Sequence, residues 1–171
     1  NLIAMNYRKK LENLKLLTNE QIKDLDWLVD TFKLAKTVGS LLIVDKKDFS
    51  SMRKSLSIIK EKAVLSIFET DLLSDGIKAL FALIDQAEVM SAKYDVMITN
   101  PPYLSTTKFI DDSKKYFYEN YSNSKSDMFG MFMETKFVKN NGFESIVNPD
   151  SWMFLSSFSK FRKELLKDMT I

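Results

Sequence analysis

The chain has 171 residues, 45% of them apolar, which is enough for a sizeable core in one ordinary domain or in a piece of a larger one. Its 25 Lys and Arg against 23 Asp and Glu give a net charge of +2, so any nucleic-acid contact must come from local patches. The absence of Cys and His excludes disulfides, thiolate zinc sites and imidazole-dependent nucleophiles, and four isolated glycines exclude a glycine-rich phosphate loop.

The first 38 residues are predicted to form two helices. Apolar residues recur there at helical spacing, and Thr18 with Gln21 fits a capping box that opens the second helix. Gly39 stands where a left-handed residue would end that helix. The apolar positions that define the two helices are Leu11, Leu14, Leu17, Leu25, Leu28, Val29, Phe32 and Ala35.

Three further elements are predicted before residue 93. A short apolar run at 41–44 suggests an edge strand, and a charged turn follows it. Apolar periodicity then indicates helices over 51–68 and 75–92. The inward face of the second of these is predicted to carry Ile77, Leu80, Phe81, Ile84 and Val89. This first half therefore reads as helical and carries no evident chemistry.

The pattern changes where the second half begins. Residues 94–99 form a continuous β-prone stretch of the kind that a buried parallel strand needs. The strand ends at Asn100-Pro101-Pro102-Tyr103, because two consecutive prolines cannot continue a hydrogen-bonded ladder. These four residues, the Asn-Pro-Pro-Tyr loop, are therefore predicted to leave the carboxyl end of the strand.

The rest of the chain alternates between helices and a strand. The predicted elements are a polar stretch at 104–125, a helix from Ser126 or Asp127 to about residue 139, a turn at 140–142, a strand at 143–148 and a helix at 156–167. This order implies an α/β fold with a parallel sheet. Such sheets bind ligands at the carboxyl ends of their strands.

The Asn-Pro-Pro-Tyr loop carries the most specific chemical signal. The exocyclic amine of adenine is a poor nucleophile because its lone pair is delocalised into the ring. If the side-chain oxygen of Asn100 and the carbonyl of Pro101 each accept one N–H, they favour a pyramidal amine whose lone pair faces an electrophilic methyl group. The rigid prolines keep that carbonyl aimed, and Tyr103 would stack on the base, worth about 1–3 kcal/mol. The alternative is a proline-stiffened loop with a surface tyrosine.

The loop and its surroundings resemble the N6-adenine DNA methyltransferases that use S-adenosylmethionine. The catalytic motif of that family is Asn-Pro-Pro-Tyr, and the similarity continues through Asp-Met-Phe-Gly at 127–130 and Pro-Asp-Ser-Trp at 149–152. In the family the last aromatic residue packs against the flipped adenine, so the resemblance implies that role for Trp152. Without the resemblance, a core position is the simpler interpretation of Trp152.

Within that family, residues 94–103 and 149–155 look most like the PglX methyltransferases of BREX phage-defence systems. The resemblance implies a partial Rossmann-like class I methyltransferase sheet preceded by a helical region. Residues 1–92 would be the helical segment and residues 93–171 the catalytic part. It also implies S-adenosylmethionine as cofactor, DNA as partner and an association with other phage-defence proteins. No membrane or metal partner is expected.

The cofactor site departs from the family pattern. The family binds S-adenosylmethionine through a glycine-containing loop after the first strand and an acidic residue that ends the second, both ahead of the catalytic motif. The isolated glycines here match neither, so the chain is expected to be a fragment that begins after the cofactor loop and is inactive alone. Asp71 and Asp127 remain as candidates for cofactor contacts, although a place at a helix start accounts for each without such a function.

Two alternatives stay open for the Asn-Pro-Pro-Tyr loop. It also occurs in methyltransferases that modify a glutamine side chain of release factors or a guanine amine of ribosomal RNA. The helical region before the strand and the Pro-x-x-Trp segment after the next one favour the DNA enzymes. The other alternative is a non-catalytic module that binds DNA or a protein partner, and the missing glycine loop supports it.

The remaining patterns concern location and surface charge. No apolar run approaches the roughly 20 residues that a bilayer span requires, and the start lacks a signal peptide, so a cytoplasmic protein is expected. A basic cluster near the end interleaves with apolar residues, as in any amphipathic surface helix, with phosphate contact as the alternative. Its members are Lys160, Arg162, Lys163 and Lys167.

Overall fold

The computed structural model describes residues 2–13, 16–64, 70–135 and 137–168. Its contacts divide the chain into two compact units. The first consists of Asn1–Lys36 and Leu42–Ala92, and the second of Thr37–Leu41 and Lys93–Ile171. That residues 93–171 are the catalytic part stays a prediction.

Helices build the first unit, and α5 is their common neighbour. The α-helices of the first half of the chain are α1 (Leu2–Asn13), α2 (Asn19–Thr31), α3 (Ala35–Val38), α4 (Ser50–Val64) and α5 (Thr70–Ser91). Each of α1, α2 and α4 packs against α5. Fully buried side chains at helical spacing form their shared core, among them Leu11, Leu25, Leu28, Leu56, Ile77, Leu80 and Ile84. The predicted apolar position Leu14 lies outside the described residues.

The capping box at the start of α2 is confirmed. The backbone N–H of Gln21 donates to Thr18 Oγ1 at 3.2 Å, and the backbone N–H of Thr18 donates to Gln21 Oε1 at 3.0 Å. Both groups would otherwise be unsatisfied N–H donors at the helix start. Gln21 also donates its side-chain amide to Ser55 of α4, which fixes α2 against that helix.

The predicted ends of the later helices are partly wrong. The third predicted helix matches α4 up to Val64, and its last predicted residues, 65–68, lie outside the described residues. The fourth begins at Thr70 rather than at 75. Val89 is 61% exposed, so its inward placement is wrong. It lies five residues after Ile84, which turns it about 140° away from the buried stripe at roughly 100° per residue.

The segment between α2 and α4 contains no strand, so the strand predicted at 41–44 is wrong. Short 3-10 turns at Phe32–Leu34 and Gly39–Leu41 flank α3 instead. The second predicted helix, expected to run to Gly39, ends at Thr31, so that boundary is wrong. Gly39 follows α3 with φ 62°, which confirms its predicted left-handed conformation. Leu41, Leu42 and Val44 of the apolar run are buried without a hydrogen-bonded ladder, whereas Ile43 is 50% exposed.

A two-stranded parallel sheet organises the second unit. The strand predicted at 94–99 is confirmed as β1 (Tyr94–Thr99), and it pairs in parallel with β2 (Val138–Ile146). The helices of this unit are α6 (Asp111–Asn120), α7 (Met128–Glu134), α8 (Ser151–Phe154) and α9 (Ser159–Asp168). The predicted α/β class is confirmed in this coarser form, a mainly helical chain with a small parallel sheet.

The connection from α7 to β2 differs from the prediction. The helix expected to reach residue 139 ends at Glu134, and the turn expected at 140–142 lies inside β2. The register explains the turn signal, because Tyr94 faces Val138 whereas Val96 faces Phe143. The Asn-Asn-Gly sequence therefore forms an irregularity within the strand rather than a turn before it.

The polar stretch at 104–125 contains regular structure that was not predicted. A 3-10 turn covers Thr106–Lys108, and α6 follows it. Four-residue spacing places Ser113, Phe117 and Tyr121 on one side of this segment, and all three are buried. The sparse apolar content hid this short helix.

The sheet buries one face only. Ile146 packs on a cluster formed by Phe129, Met133, Trp152, Phe158 and Phe161. On the other face Val96, Ile98 and Phe143 are 55%, 79% and 75% exposed, so the prediction of a buried β1 is wrong in this chain. Within the described residues the sheet has two strands, and no helix of the unit covers that face. The helix predicted at 156–167 is confirmed as a 3-10 turn at Ser156–Phe158 that continues into α9.

Candidate active site

The carboxyl ends of the two strands bring the Asn-Pro-Pro-Tyr loop beside the segment that follows β2. Thr99, the last residue of β1, pairs with Ile146 at the end of β2. The backbone N–H of Val147 then donates to the carbonyl of Thr99 at 3.0 Å, which extends the pairing by one residue. The loop therefore lies at the sheet edge where parallel α/β folds bind ligands.

The Tyr103 side chain ties the loop to both neighbours. Its hydroxyl lies 3.2 Å from Asn100 Oδ1 and 3.2 Å from the carbonyl oxygen of Val147, and it donates to these acceptors. Its ring meets Phe129 of α7 edge to face, with 6.3 Å between centroids and 88° between planes. The residue is 53% exposed, so part of the ring remains open to a planar ligand.

Burial alternates along the loop. Pro101 is buried, whereas Asn100 and Pro102 are exposed. The side-chain oxygen of Asn100 has two lone pairs, so it can accept from Tyr103 and from a ligand N–H together. The buried proline anchors the loop while the amide next to it faces solvent, which is the arrangement that a rigid acceptor site needs.

Backbone hydrogen bonds join the start of α7 to the residues that follow the Asn-Pro-Pro-Tyr loop. Ser105 and Asp127 form an isolated antiparallel bridge, and the backbone N–H of Met128 donates to the carbonyl of Leu104 at 3.0 Å. These bonds fix where the loop leaves the sheet edge, because α7 is itself packed in the buried cluster.

Asp127 acts as the N-cap of α7. Its carboxylate accepts from the backbone N–H of Phe129 at 3.4 Å. Burial raises the pKa of Asp127, and hydrogen bonds from backbone N–H groups, that of Phe129 first, partly offset this. The predicted capping role is confirmed, and a contact from Asp127 to a cofactor stays a prediction.

Trp152 lies in the core of the second unit. It is 8% exposed, its ring meets Phe161 edge to face at 6.2 Å, and its Nε1 donates to Asn148 Oδ1 at 3.0 Å. This burial favours the core interpretation of Trp152. Stacking of Trp152 on a base stays a prediction that would require its ring to be uncovered.

Asp71 lies in the first turn of α5, as expected for an aspartate at a helix start. Its side chain is outside the described part of the structure. The cofactor contact suggested for it therefore stays a prediction.

The described residues do not fit a glycine-containing cofactor loop. Gly76 and Gly130 lie inside α5 and α7, where an added Cβ would meet the side chains of Tyr7 and Phe158. Gly142 lies within β2, and Gly39 follows a helix rather than a strand. We therefore assign no S-adenosylmethionine contact to any of them.

Two further findings concern metals and membranes. Among the described residues no group of three or more acidic side chains is placed to hold a metal ion. None of the helices in the described ranges combines the length and apolar character needed to cross a membrane.

Sequence reasoning missed Val147, Asn148 and Glu144. A signal existed for the first two, because each strand is followed by an Asn-Pro pair, at 100–101 and at 148–149. Glu144 lies on the same face of β2 as Ile146, and its Oε2 is buried without a hydrogen-bond partner among the described residues. Burial raises the pKa of Glu144 to about 7.

Comparison with known proteins gives concordant matches. Residues 29–171 match the family described as Eco57I restriction-modification methylase. The adenine-specific methyltransferase BrxX of Escherichia coli O9:H4 (strain HS) is 37% identical over 142 residues, which cover 81% of this chain and 12% of that protein. The adenine-specific methyltransferase PglX of Lacticaseibacillus casei (strain Zhang) is 30% identical over 147 residues, covering 83% of this chain and 12% of that protein. The chain thus spans a small part of the length of these relatives.

Proposed function

We propose, because the chain belongs to the Eco57I restriction-modification methylase family, that it forms part of an enzyme that methylates N6 of adenine in DNA. One observation carries the proposal. The Asn-Pro-Pro-Tyr loop leaves the carboxyl end of a parallel strand and is bonded to the end of the neighbouring strand. The names of two relatives, both adenine-specific methyltransferases, support the same substrate base.

In this proposal the loop orients the adenine amine. Asn100 Oδ1 accepts one N–H and the carbonyl of Pro101 accepts the other, so the lone pair of the nitrogen points away from both acceptors. Asn100 is exposed and Pro101 is buried. This supports a solvent-facing hydrogen-bond acceptor on a loop that is fixed in place by its buried proline. Tyr103 then stacks on the adenine, which has left the duplex to reach the sheet edge.

S-adenosylmethionine is the proposed methyl donor. When bound, it would supply an electrophilic sulfonium methyl group, whose bond to sulfur breaks as the bond to N6 forms, and S-adenosylhomocysteine would leave. The excess proton leaves the amine after the transfer. The proposal includes cofactor contacts by Asp71 or Asp127, which are supported by the sequence only. For the chain itself, the proposed roles are binding and orientation of the base.

The sheet that we propose has more strands than the two found among the described residues. We infer that β1 and β2 belong to a Rossmann-like class I methyltransferase sheet. The exposed apolar face of Val96, Ile98 and Phe143 supports this, because parallel strands normally have both faces covered.

The biological setting proposed is a cytoplasmic restriction-modification or phage-defence system of the BREX type. The names BrxX and PglX of the relatives support it. Association with other proteins of such a system is part of this proposal.

Product analysis tests the function. The natural protein that carries this chain is incubated with labelled S-adenosylmethionine and with DNA, ribosomal RNA or protein, and the modified products are identified by mass spectrometry. We expect N6-methyladenine in DNA. Methylguanine in RNA or methylglutamine in protein would replace the proposal with one of its two enzymatic alternatives. DNA binding without methyl transfer to any acceptor would favour a non-catalytic module.

A further inference from the structure

The segment after β2 ends in three consecutive exposed apolar residues, which we name the apolar tip. Met153, Phe154 and Leu155 are 50%, 76% and 51% exposed, whereas the adjacent Trp152 is 8% exposed. Single exposed apolar residues are ordinary, but a contiguous run of them marks a contact surface. The question is which ligand this surface fits.

Hydrogen bonds hold the apolar tip in a fixed conformation. One guanidinium nitrogen of Arg162 donates to the carbonyl of Trp152 at 2.6 Å and to that of Leu155 at 2.7 Å. The backbone N–H of Leu155 also donates to the carbonyl of Ser151 at 3.0 Å. A contact surface that is already ordered loses little conformational entropy when it binds.

The residues that lead from β2 to the apolar tip are hydrogen-bonded to the candidate site and to Trp152. Tyr103 donates its hydroxyl to the carbonyl of Val147, which opens the segment leading to the tip. Asn148 then accepts from Trp152, the residue directly before the tip. The tip and the Asn-Pro-Pro-Tyr loop therefore belong to one connected part of the second unit.

The helix that follows the tip adds positive charge. Lys160, Lys163 and Lys167 recur at spacings of three and four residues, so they share one side of α9, and all three are exposed. Phe158 and Phe161, which precede and begin this helix, are buried in the cluster instead. Lys167 also forms an exposed ion pair with Glu164 of the same helix, at 3.0 Å. Exposed lysines that follow an apolar projection along the chain match duplex DNA, whose phosphates attract the lysines while its bases accept an apolar wedge.

We propose that Phe154, flanked by Met153 and Leu155, inserts between DNA bases next to the target adenine and fills the gap left when that adenine is flipped. Trp152, which is 8% exposed in the buried cluster, supports the wedge from the core. This inference rests on the proposed DNA substrate and adds a residue that stabilises the flipped state.

Binding to a duplex with a preformed gap tests the wedge without requiring methyl transfer or a known target sequence. The natural protein is titrated with a paired duplex and with the same duplex carrying one abasic site. An inserted side chain increases DNA affinity most where no base has to be unstacked to make room for it. Wild type is therefore expected to bind the abasic duplex roughly tenfold more tightly than the paired duplex. Phe154→Ala should lose that preference, whereas Phe154→Trp should keep it.

Leu166→Ala is the matched control, because Leu166 is 64% exposed on α9 and lies outside the tip. It should keep the wild-type preference. The wedge is overturned if wild type shows no preference, or if Phe154→Ala retains it. A large drop in the melting temperature of Phe154→Ala with the preference intact would show that protein, not DNA, covers the tip. A preference that depends on Phe154 in a protein that methylates no adenine would instead overturn the proposed function alone.

Discussion

The hydroxyl of Tyr103 lies 3.2 Å from Asn100 Oδ1, the oxygen that the proposed mechanism assigns to the adenine amine. The same hydroxyl lies 3.2 Å from the carbonyl of Val147, so its single hydrogen has two acceptors. Because an amide oxygen has two lone pairs, an adenine N–H can join Tyr103 at Asn100 or displace it toward Val147. The Tyr103 side chain therefore combines an exposed ring with a hydroxyl that is hydrogen-bonded to the amide proposed to hold the adenine amine.

Two substitutions at Tyr103 separate these roles. Tyr103→Ala removes the ring, and we expect DNA affinity to fall roughly 5- to 150-fold, because stacking is worth about 1–3 kcal/mol. Tyr103→Phe keeps the ring and should cost only a few-fold in methylation rate. Titrations with DNA and with S-adenosylmethionine provide the measurement. If Tyr103→Ala lowered the affinities for DNA and for S-adenosylmethionine equally, a stacking role would be contradicted.

Asp127 is expected to matter through its cap. Asp127→Ala should destabilise α7 by about 1 kcal/mol, whereas Asp127→Asn should keep most of that stability because asparagine also caps helices. Hydrogen exchange of peptides that cover Met128–Glu134 in the natural protein reads this local stability. If Asp127→Asn binds S-adenosylmethionine as wild type does, no cofactor contact by the charge is needed. Unchanged exchange in Asp127→Ala would contradict the capping role.

Glu144 makes the stability pH-dependent. Burial raises its pKa from 4.5 to about 7, so in this window the folded protein keeps a proton that the unfolded chain releases. The contribution of Glu144 to stability therefore falls as the pH rises from about 4.5 to about 7. Glu144→Gln should be more stable than wild type above about pH 7 and should gain nothing below about pH 4.5, as measured by urea midpoints.

The control for Glu144 is Glu119→Gln, since Glu119 is an exposed residue of α6. It should leave the pH dependence of the urea midpoint unchanged. A pH profile of Glu144→Gln that overlays the wild-type profile would contradict the account of the buried carboxyl.

Gly142 is expected to be required by the strand irregularity. A Cβ at this position would lie 2.3 Å from Val138 Cγ1 and 2.7 Å from the backbone oxygen of Asp95. Gly142→Ala should therefore cost about 1–3 kcal/mol, because backbone must move to relieve the clash. Faster hydrogen exchange in β1 and β2 would report the loss. Ser145→Ala, at an exposed position of the same strand, is the control, and equal exchange in both variants would contradict the steric account.

The sequence predicted best where a local chemical rule decides the structure. Paired prolines ended β1 at the residue where the structure ends it, and Thr18 with Gln21 marked the start of α2. The candidate loop was found in the same way, because the prolines and the strand before it are local features. The contact between Tyr103 and Val147 joins residues that are 44 positions apart, and no local pattern could indicate it.

Predictions failed where tertiary packing decides the structure. Three of the four side chains of the apolar run at 41–44 are buried without a strand partner, and the Asn-Asn-Gly turn signal became an irregularity within β2. Glu144 gave no signal, since only the packing of β2 buries its carboxyl. The exposure of Phe154 beside the buried Trp152 likewise follows from the short helix α8 rather than from composition.

The most direct test of the central claim compares wild type with Asn100→Ala in the natural protein that carries this chain. Formation of N6-methyladenine in DNA is measured, with the melting temperature as the control for folding. The account predicts that wild type methylates adenine and that Asn100→Ala loses at least about 100-fold in rate, as expected when a transition-state hydrogen bond is removed, with an unchanged melting temperature because Asn100 is exposed. Equal methylation rates for the two folded proteins would contradict it.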